Sequence, residues 1–427
     1  MPGGRPLRKA YLAAAAAAVV AAAVGYVVLP ASDTRDTPEP VEMGTSELAG
    51  TGPTDLAGLP VVSASEIESA VIPQEIADSN NGFAADFYRQ VSGEEGNIFF
   101  SPLGMYAAFS MLYEGAGGEG AKELEDAFGF EPDARARHNM TAHVMASINR
   151  DNPHAELVMA NALWPFVGEI SPGYLDVGRS TYLATIENPG EDPIDRINGW
   201  VSDATNEKIP EVIDELNPYT VLVITNAIYF KGAWVKPFAP EYTQENEWHG
   251  PSGGSAEYMY AKDRFSYAEY DGLQVLRMPY EGDRLSMVVL LPEPGGMREL
   301  EESLSAGQMR EWTGGLSERD VDVLLPKFTA STRYDLKEHL LNLGVNHIFK
   351  EGALNGITLF AFVSDAVHVA FVDVNEEGAE AAAVTRIDGV VESGIMSNRF
   401  VADRPFLFLI QDDESGTILF MGRVSEP

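Results

Sequence analysis

Few side chains in this sequence could perform chemistry, and their spacing removes most of the options. Seven histidines and no cysteine are present. The missing cysteines exclude disulfides, thiolate metal sites and thiol nucleophiles. His138, His143, His154, His249, His339, His347 and His368 never recur at i,i+3 or i,i+4, so no helix offers a metal-binding pair. Neither a metal nor a cofactor is expected. Ser101 and His368 could be read as two thirds of a hydrolase triad. A serine nucleophile, however, sits on an exposed elbow such as G-x-S-x-G, whereas Ser101 precedes Pro102 at a helix start. His368 reads better as a partner for Asn226. That asparagine lies in an apolar strand pattern, on one face with Leu222, Ile224 and Ile228. A buried amide left unpaired costs on the order of 1–3 kcal/mol, and His368 opens a second apolar strand.

The segment Glu376-Glu-Gly-Ala-Glu-Ala-Ala-Ala-Val-Thr385 is unusual in another way. Its composition fits a small-residue linker or a short Ala-rich helix. Read with the two-residue period of a strand, it splits into two faces. Ala379, Ala381, Ala383, Thr385, Ile387 and Gly389 are small or apolar, while Glu380, Ala382, Val384, Arg386, Asp388 and Val390 carry every charge. Such an alternation suits a strand that inserts between others already packed, where a bulky or charged inward residue would stall it. Two further signals are weak. Gly115-Ala-Gly-Gly-Glu-Gly120 looks like a phosphate cradle but lies between helical patterns and reads as a turn. Asn139-Met-Thr141 is a glycosylation sequon.

The elements that would position these residues divide the chain unevenly. Helical patterns cover Ile76 to Gln90, Pro102 to Tyr113 and Asp195 to Thr205, with Ser101 as N-cap and Pro102 at the first helical position of the second. Strand patterns cover Leu157 to Trp164, Val221 to Phe230, Leu285 to Leu291, Val321 to Leu325, Val367 to Val374, Phe406 to Ile410 and Thr417 to Met421. A helical half with interspersed strands and then a strand-rich half is an α+β architecture.

At the N-terminus, Arg5, Arg8 and Lys9 precede an uncharged Ala/Val-rich run from Ala10 to Leu29. The pattern predicts a secretory signal or an uncleaved membrane anchor within residues 1–30, and leaves the two open. Residues 31–62 are rich in Pro, Thr, Asp, Gly and Ser and read as a disordered tether. The folded domain is expected over 63–427, outside the cell or on the outer face of its membrane. With 29 Lys+Arg against 65 Asp+Glu, the net charge is −36, which disfavours nucleic acid and anionic lipid as partners and favours solubility.

Four segments, taken in order, resemble the serpin family of serine protease inhibitors from about residue 76 to the C-terminus. They are Asn97-Ile-Phe-Phe-Ser-Pro102, Thr225-Asn-Ala-Ile-Tyr-Phe-Lys-Gly-Ala-Trp234, His368 to Ala383, and Arg404-Pro-Phe-Leu-Phe-Leu-Ile410 with Leu419-Phe-Met-Gly-Arg423. The resemblance implies a serpin fold: three β-sheets with eight or nine surrounding helices, one exposed reactive-centre loop, and metastability while that loop is intact. It implies a monomeric, non-enzymatic inhibitor that traps a serine endopeptidase as a suicide substrate. The hinge of the loop would be Glu376, Glu377, Gly378, Ala379, Glu380, Ala381, Ala382 and Ala383. Ser101, Asn226 and His368 would form the shutter at the middle of the main sheet. Trp234, Lys327 and Glu376 would form the breach at its top, with Lys327 and Glu376 paired. Three positions depart from the family pattern: Gly104 and Ala379 stand where serine and threonine are usual, and Val384 replaces an alanine.

Family spacing from Gly378 puts the scissile bond at Glu392–Ser393, while counting back from Pro405 puts it near Gly394. The alternatives Val391 and Met396 lie in the same window, which holds no Lys or Arg. The resemblance therefore implies an elastase-, subtilisin- or glutamate-specific target rather than a trypsin-like one. Two rival functions are a non-inhibitory serpin acting as carrier or chaperone, and a surface-tethered adhesin or scaffold.

Overall fold

The three helices and seven strands predicted from apolar periodicity lie close to where the sequence puts them, and six further helices and eight further strands join them. The computed structural model describes residues 72–148, 155–282, 284–379 and 398–427. Nine α-helices are present among them: α1 (Gln74–Val91), α2 (Pro102–Tyr113), α3 (Gly118–Phe128), α4 (Ala134–Ile148), α5 (Pro172–Ser180), α6 (Pro193–Ala204), α7 (Met297–Ser303), α8 (Ala306–Gly314) and α9 (Leu336–Asn342). The strands begin with β1 (Ile98–Phe100), β2 (Ala155–Pro165), β3 (Thr185–Ile186), β4 (Leu222–Ala233), β5 (Gln244–Glu247), β6 (Ser255–Tyr270), β7 (Leu273–Pro279) and β8 (Leu285–Pro292). They continue with β9 (Ser317–Pro326), β10 (Phe328–Asp335), β11 (Asp365–Asn375), β12 (Gly378–Ala379), β13 (Asn398–Val401), β14 (Phe406–Asp412) and β15 (Ile418–Val424).

The main sheet runs β10-β11-β12-β4-β2-β3. The other strands run β1-β15-β14-β8-β7-β6-β9-β13, with β5 added on β6. This second array is two sheets made continuous by β6. The start of that strand pairs with β5, its end with β7, and β9 pairs along its middle. The fold is therefore the α+β, three-sheet architecture expected, with α2 buried in the core beneath the main sheet.

β4 has a core on each face, as a central strand must. Leu222, Ile224, Ile228 and Phe230 join the large core that contains α2, whereas Val223, Ala227 and Tyr229 join a smaller one under α6. The same division holds for β11, where Ala366, Ala370, Val372 and Val374 face the large core. Asn226 and His368, by their parity, point to the α2 side.

One local expectation is corrected. The Gly115–Gly120 stretch is not wholly a turn, because α3 begins inside it at Gly118. Burial of Gly120, Leu124 and Phe128, spaced four apart, holds that helix against its neighbours despite the glycines. No helix among the described residues is long and apolar enough to cross a membrane, and the Ala10–Leu29 run lies outside them.

Candidate functional site

The site is built around the line where β4 and β11 lie side by side. The two strands are parallel and pair from Val223 opposite Asp365 to Tyr229 opposite Phe371, with Asn226 directly opposite His368. His368 is fully buried, and its Nδ1 lies 2.7 Å from Asn226 Oδ1. The backbone N–H of Ser101 donates to His368 Nε2 at 2.9 Å, which fixes the ring as the neutral Nδ1–H tautomer. Asn226 Nδ2 in turn donates to Asn161 Oδ1 at 2.7 Å, carrying the chain on to β2. Ser101 Oγ donates to the Leu419 carbonyl at 2.6 Å and caps α2 by accepting from Gly104 N–H at 2.9 Å. One polar line thus ties β2, β4, β11, α2 and β15 together. Ser101 Oγ does not touch the imidazole, and both residues are buried, so this pair has no nucleophile geometry.

Burial lowers the His368 pKa from the ordinary 6.5 to about 3. Protonating Nε2 would also set an N–H against the Ser101 N–H. The unfolded histidine takes up its proton near pH 6.5 and the folded one only near 3. The stabilisation is therefore complete above pH 6.5 and is lost as pH falls toward 3, at up to about 1.4 kcal/mol per pH unit. The thermal midpoint should drop more steeply between about pH 6 and pH 4 in the native chain than in His368→Gln. Parallel profiles would show that His368 does not carry the effect.

Gly104 fits the same network by lacking a side chain. A Cβ there would lie 2.6 Å from Asn226 Oδ1, the atom already held by His368. Gly104→Ala should therefore destabilise the protein by roughly 1–3 kcal/mol in thermal unfolding, although alanine is the better helix former.

Toward the Ala233 end of β4 the two strands separate and β12 lies between them. Ala379 pairs with Val374 on one side and Gly232 on the other, antiparallel to both. Gly378 has φ 147°, and a Cβ on it would strike the Gly232 carbonyl oxygen, so only glycine fits. The backbone before it is fastened as well. Trp234 N–H donates to the Glu377 carbonyl at 2.9 Å and Phe238 N–H to the Glu376 carbonyl at 2.8 Å. Trp234 Nε1 donates to the Asn375 carbonyl at 3.0 Å while its ring stacks on Tyr280 at 4.4 Å. Glu376 accepts from Thr243 Oγ1 at 2.8 Å and lies 3.4 Å from Lys327 Nζ. Burial alone would raise the Glu376 pKa, but hydrogen bonds from its own N–H and Thr243, with the Lys327 charge, outweigh it and hold the carboxyl below the ordinary range. As a partly exposed pair, Lys327 and Glu376 contribute little to stability.

The structure thus brings Ser101, Asn226 and His368 into one network, and gathers Trp234, Lys327 and Glu376 around the strand ends where Glu377, Gly378 and Ala379 begin to pair. Glu380, Ala381, Ala382, Ala383, Val391, Glu392, Ser393 and Met396 lie outside the described residues. Asn161, Thr243 and Tyr280 complete the two clusters and are not among the site residues expected from sequence. The signal for Asn161 was available: it is a second amide in an apolar strand.

The main sheet thus has two central strands that part at one end around the first residues of another strand. The family model for Serpin (serine protease inhibitor) matches residues 78–427. A serpin-like protein of Thermococcus kodakarensis is 35% identical over 368 residues, covering 82% of this chain and 86% of the relative. Antithrombin-III of Mus musculus is 35% identical over 382 residues, covering 83% and 82%. Among solved structures, human thyroxine-binding globulin complexed with its hormone superposes with a TM-score of 0.76 at 28% identity, covering 83% of this chain and all of that one. The chain belongs to the serpin family.

Proposed function

We propose that this serpin is an inhibitor that traps a serine endopeptidase through insertion of its cleaved loop into the main sheet. The observation that carries this reading is β12: Gly378 and Ala379 are paired between β4 and β11, and the side chain of Ala379 is small and buried. A strand that continues from Ala379 needs only to extend that ladder. In this reading the protease serine Oγ attacks the Glu392 carbonyl carbon. The peptide bond to Ser393 breaks, Ser393 leaves as a free amine, and an ester joins Glu392 to the enzyme. Residues 376–383 act as hinge, Trp234 with Lys327 and Glu376 as the breach, and Ser101, Asn226 and His368 as the shutter that parts. Insertion must outrun the water that would cleave the ester.

The targets that fit residues 391–396 are glutamate-specific, elastase-like or subtilisin-like enzymes. The protein acts as a monomer, secreted or held at the outer face of the membrane through residues 10–29. The carrier reading, which thyroxine-binding globulin brings to mind, is less well supported, because Ala379 offers no bulk or charge to stop insertion. Mixing the chain with a protease panel and sequencing the released C-terminal peptide tests the proposal. A new N-terminus at Ser393, with a complex that survives boiling in detergent, is expected. A new N-terminus at Ile387 with stable trypsin complexes would overturn both the register and the target class.

A further inference from the structure

β5, β6, β9 and β13 form a four-stranded sheet whose two edges adjoin Ala379 and Asn398. At one edge, the connection into β5 is fastened just ahead of Ala379, through Phe238 N–H on the Glu376 carbonyl and Thr243 Oγ1 on its carboxylate. At the other edge β13 begins at Asn398. Any enzyme that cuts the chain between Ala379 and Asn398 therefore comes to this end of the molecule. One face of the sheet is core, with Met259, Val321, Val323, Leu325 and Phe400 buried. Residues of the alternate parity turn to water. Among them Tyr260, Leu324 and Val401 stand directly opposite one another in a single row, each half-buried. Tyr242, 49% exposed, extends the row, its ring perpendicular to that of Tyr260 at 6.4 Å. A water-facing sheet surface is ordinarily polar. Cross-strand pairing accounts for Tyr260, Leu324 and Val401 but not for Tyr242, which lies in the helical turn Pro240–Tyr242 outside every ladder. The next two rows are charged. Lys262 and Arg399 stand on either side of Asp322, with Lys262 Nζ 3.4 Å from its carboxylate, and Arg264 stands opposite Asp320. Charge is thus locally balanced on a chain whose net charge is −36.

We propose that this face is a second contact surface for the target serine protease, engaged before the chain is cut, an inference that rests on the inhibitory reading above. The partner surface it fits is an apolar side chain beside the protease's active-site cleft, flanked by a carboxylate. The apolar side chain lies along Tyr242, Tyr260 and Leu324, where aromatic rings offer a large contact area at low entropic cost. The carboxylate meets Arg399, the exposed cation of the edge strand. An acidic protease, repelled by most of this chain, meets the least repulsion where the charge is balanced. These contacts stabilise the non-covalent encounter and take no part in the ester or in insertion. They decide which protease is captured fastest, beyond what the cut sequence itself selects.

The test measures second-order rates of covalent complex formation with subtilisin, an elastase and a glutamate-specific serine protease, and judges the variants on the fastest of the three. Y242S/Y260S should form complexes about tenfold more slowly, with unchanged stoichiometry and complex lifetime. R399E should be slower by about threefold at low salt and should match the unsubstituted chain near ~1 M NaCl, where a Debye length of about 3 Å screens the contact. Y219S removes a more exposed tyrosine ahead of the opposite end of β4 and should leave every rate as it was. If Y242S/Y260S melts early, Y242S alone is judged by the same rates, since Tyr242 belongs to no strand. Equal rates in all variants overturn the contact surface and leave inhibition standing. A changed stoichiometry at unchanged rate assigns the tyrosines to insertion and also overturns it. Failure of the unsubstituted chain to form a covalent complex with any probe overturns the inhibitory reading itself, and the contact surface with it.

Discussion

Replacing Ala381 or Ala383 by Arg is expected to convert the protein from inhibitor to substrate, with the loop still cut and the protease released active. Ala379 has no solvent exposure and joins the large core on the α2 side of the main sheet. Strand parity puts residues 381 and 383 on that same face once the ladder of β12 is extended. An unpaired guanidinium there would have to leave water for a gap between packed strands. Leaving a charge unpaired in that setting costs several kcal/mol. That is enough to slow insertion by about a hundredfold or more, since each 1.4 kcal/mol is a factor of ten. Deacylation then wins. The measurement is the ratio of detergent-resistant complex to cleaved product at fixed protease. An unchanged ratio in A381R or A383R would sink the insertion model. Glu380→Arg is the matched control, because strand parity would put that position on the opposite face of the extended ladder, and it should leave the ratio near its original value.

Cleaving the loop of the free protein, without a trapped enzyme, should raise the melting temperature by tens of degrees. β4 and β11 are joined by parallel pairing from Val223–Asp365 to Tyr229–Phe371. A strand inserted between them, continuing β12, replaces that single parallel ladder with two antiparallel ones. Parallel pairing is the less stable arrangement per residue, so both exchanges favour the inserted form. Calorimetry before and after limited proteolysis at residues 391–396 reads the change directly. An unmoved midpoint would favour the carrier or adhesin reading.

Much of this was legible in the sequence because a few residues contradict their surroundings. Asn226 and His368 are polar positions in otherwise apolar strands, and a buried polar group demands a partner. Ser101-Pro102 marks a helix start with its own cap, so α2 is legible in the sequence alone. The alternation from Ala379 onward reads as a strand able to insert, but the pairing already made by Gly378 and Ala379 is not legible, because it exists only where β4 and β11 leave a gap at that end. The dual role of β6 was hidden for a similar reason: one continuous strand gives no sign of where it passes from one sheet to the next.

The hydrogen bond between His368 and Asn226 bridges the two strands that any inserted strand must separate. In the inhibitory reading it is therefore a clasp with two clocks attached. One is the shelf life of the unspent protein, set by how often the sheet opens without a protease present. The other is the speed of the trap, set by how fast the sheet opens after cleavage. Both clocks run through the same broken bond. A change at either residue that weakens it by about 1.4 kcal/mol accelerates both by up to tenfold. Shelf life and trapping speed are thus coupled at this position. An organism that needed a faster inhibitor would have to accept faster ageing or adjust the hinge instead.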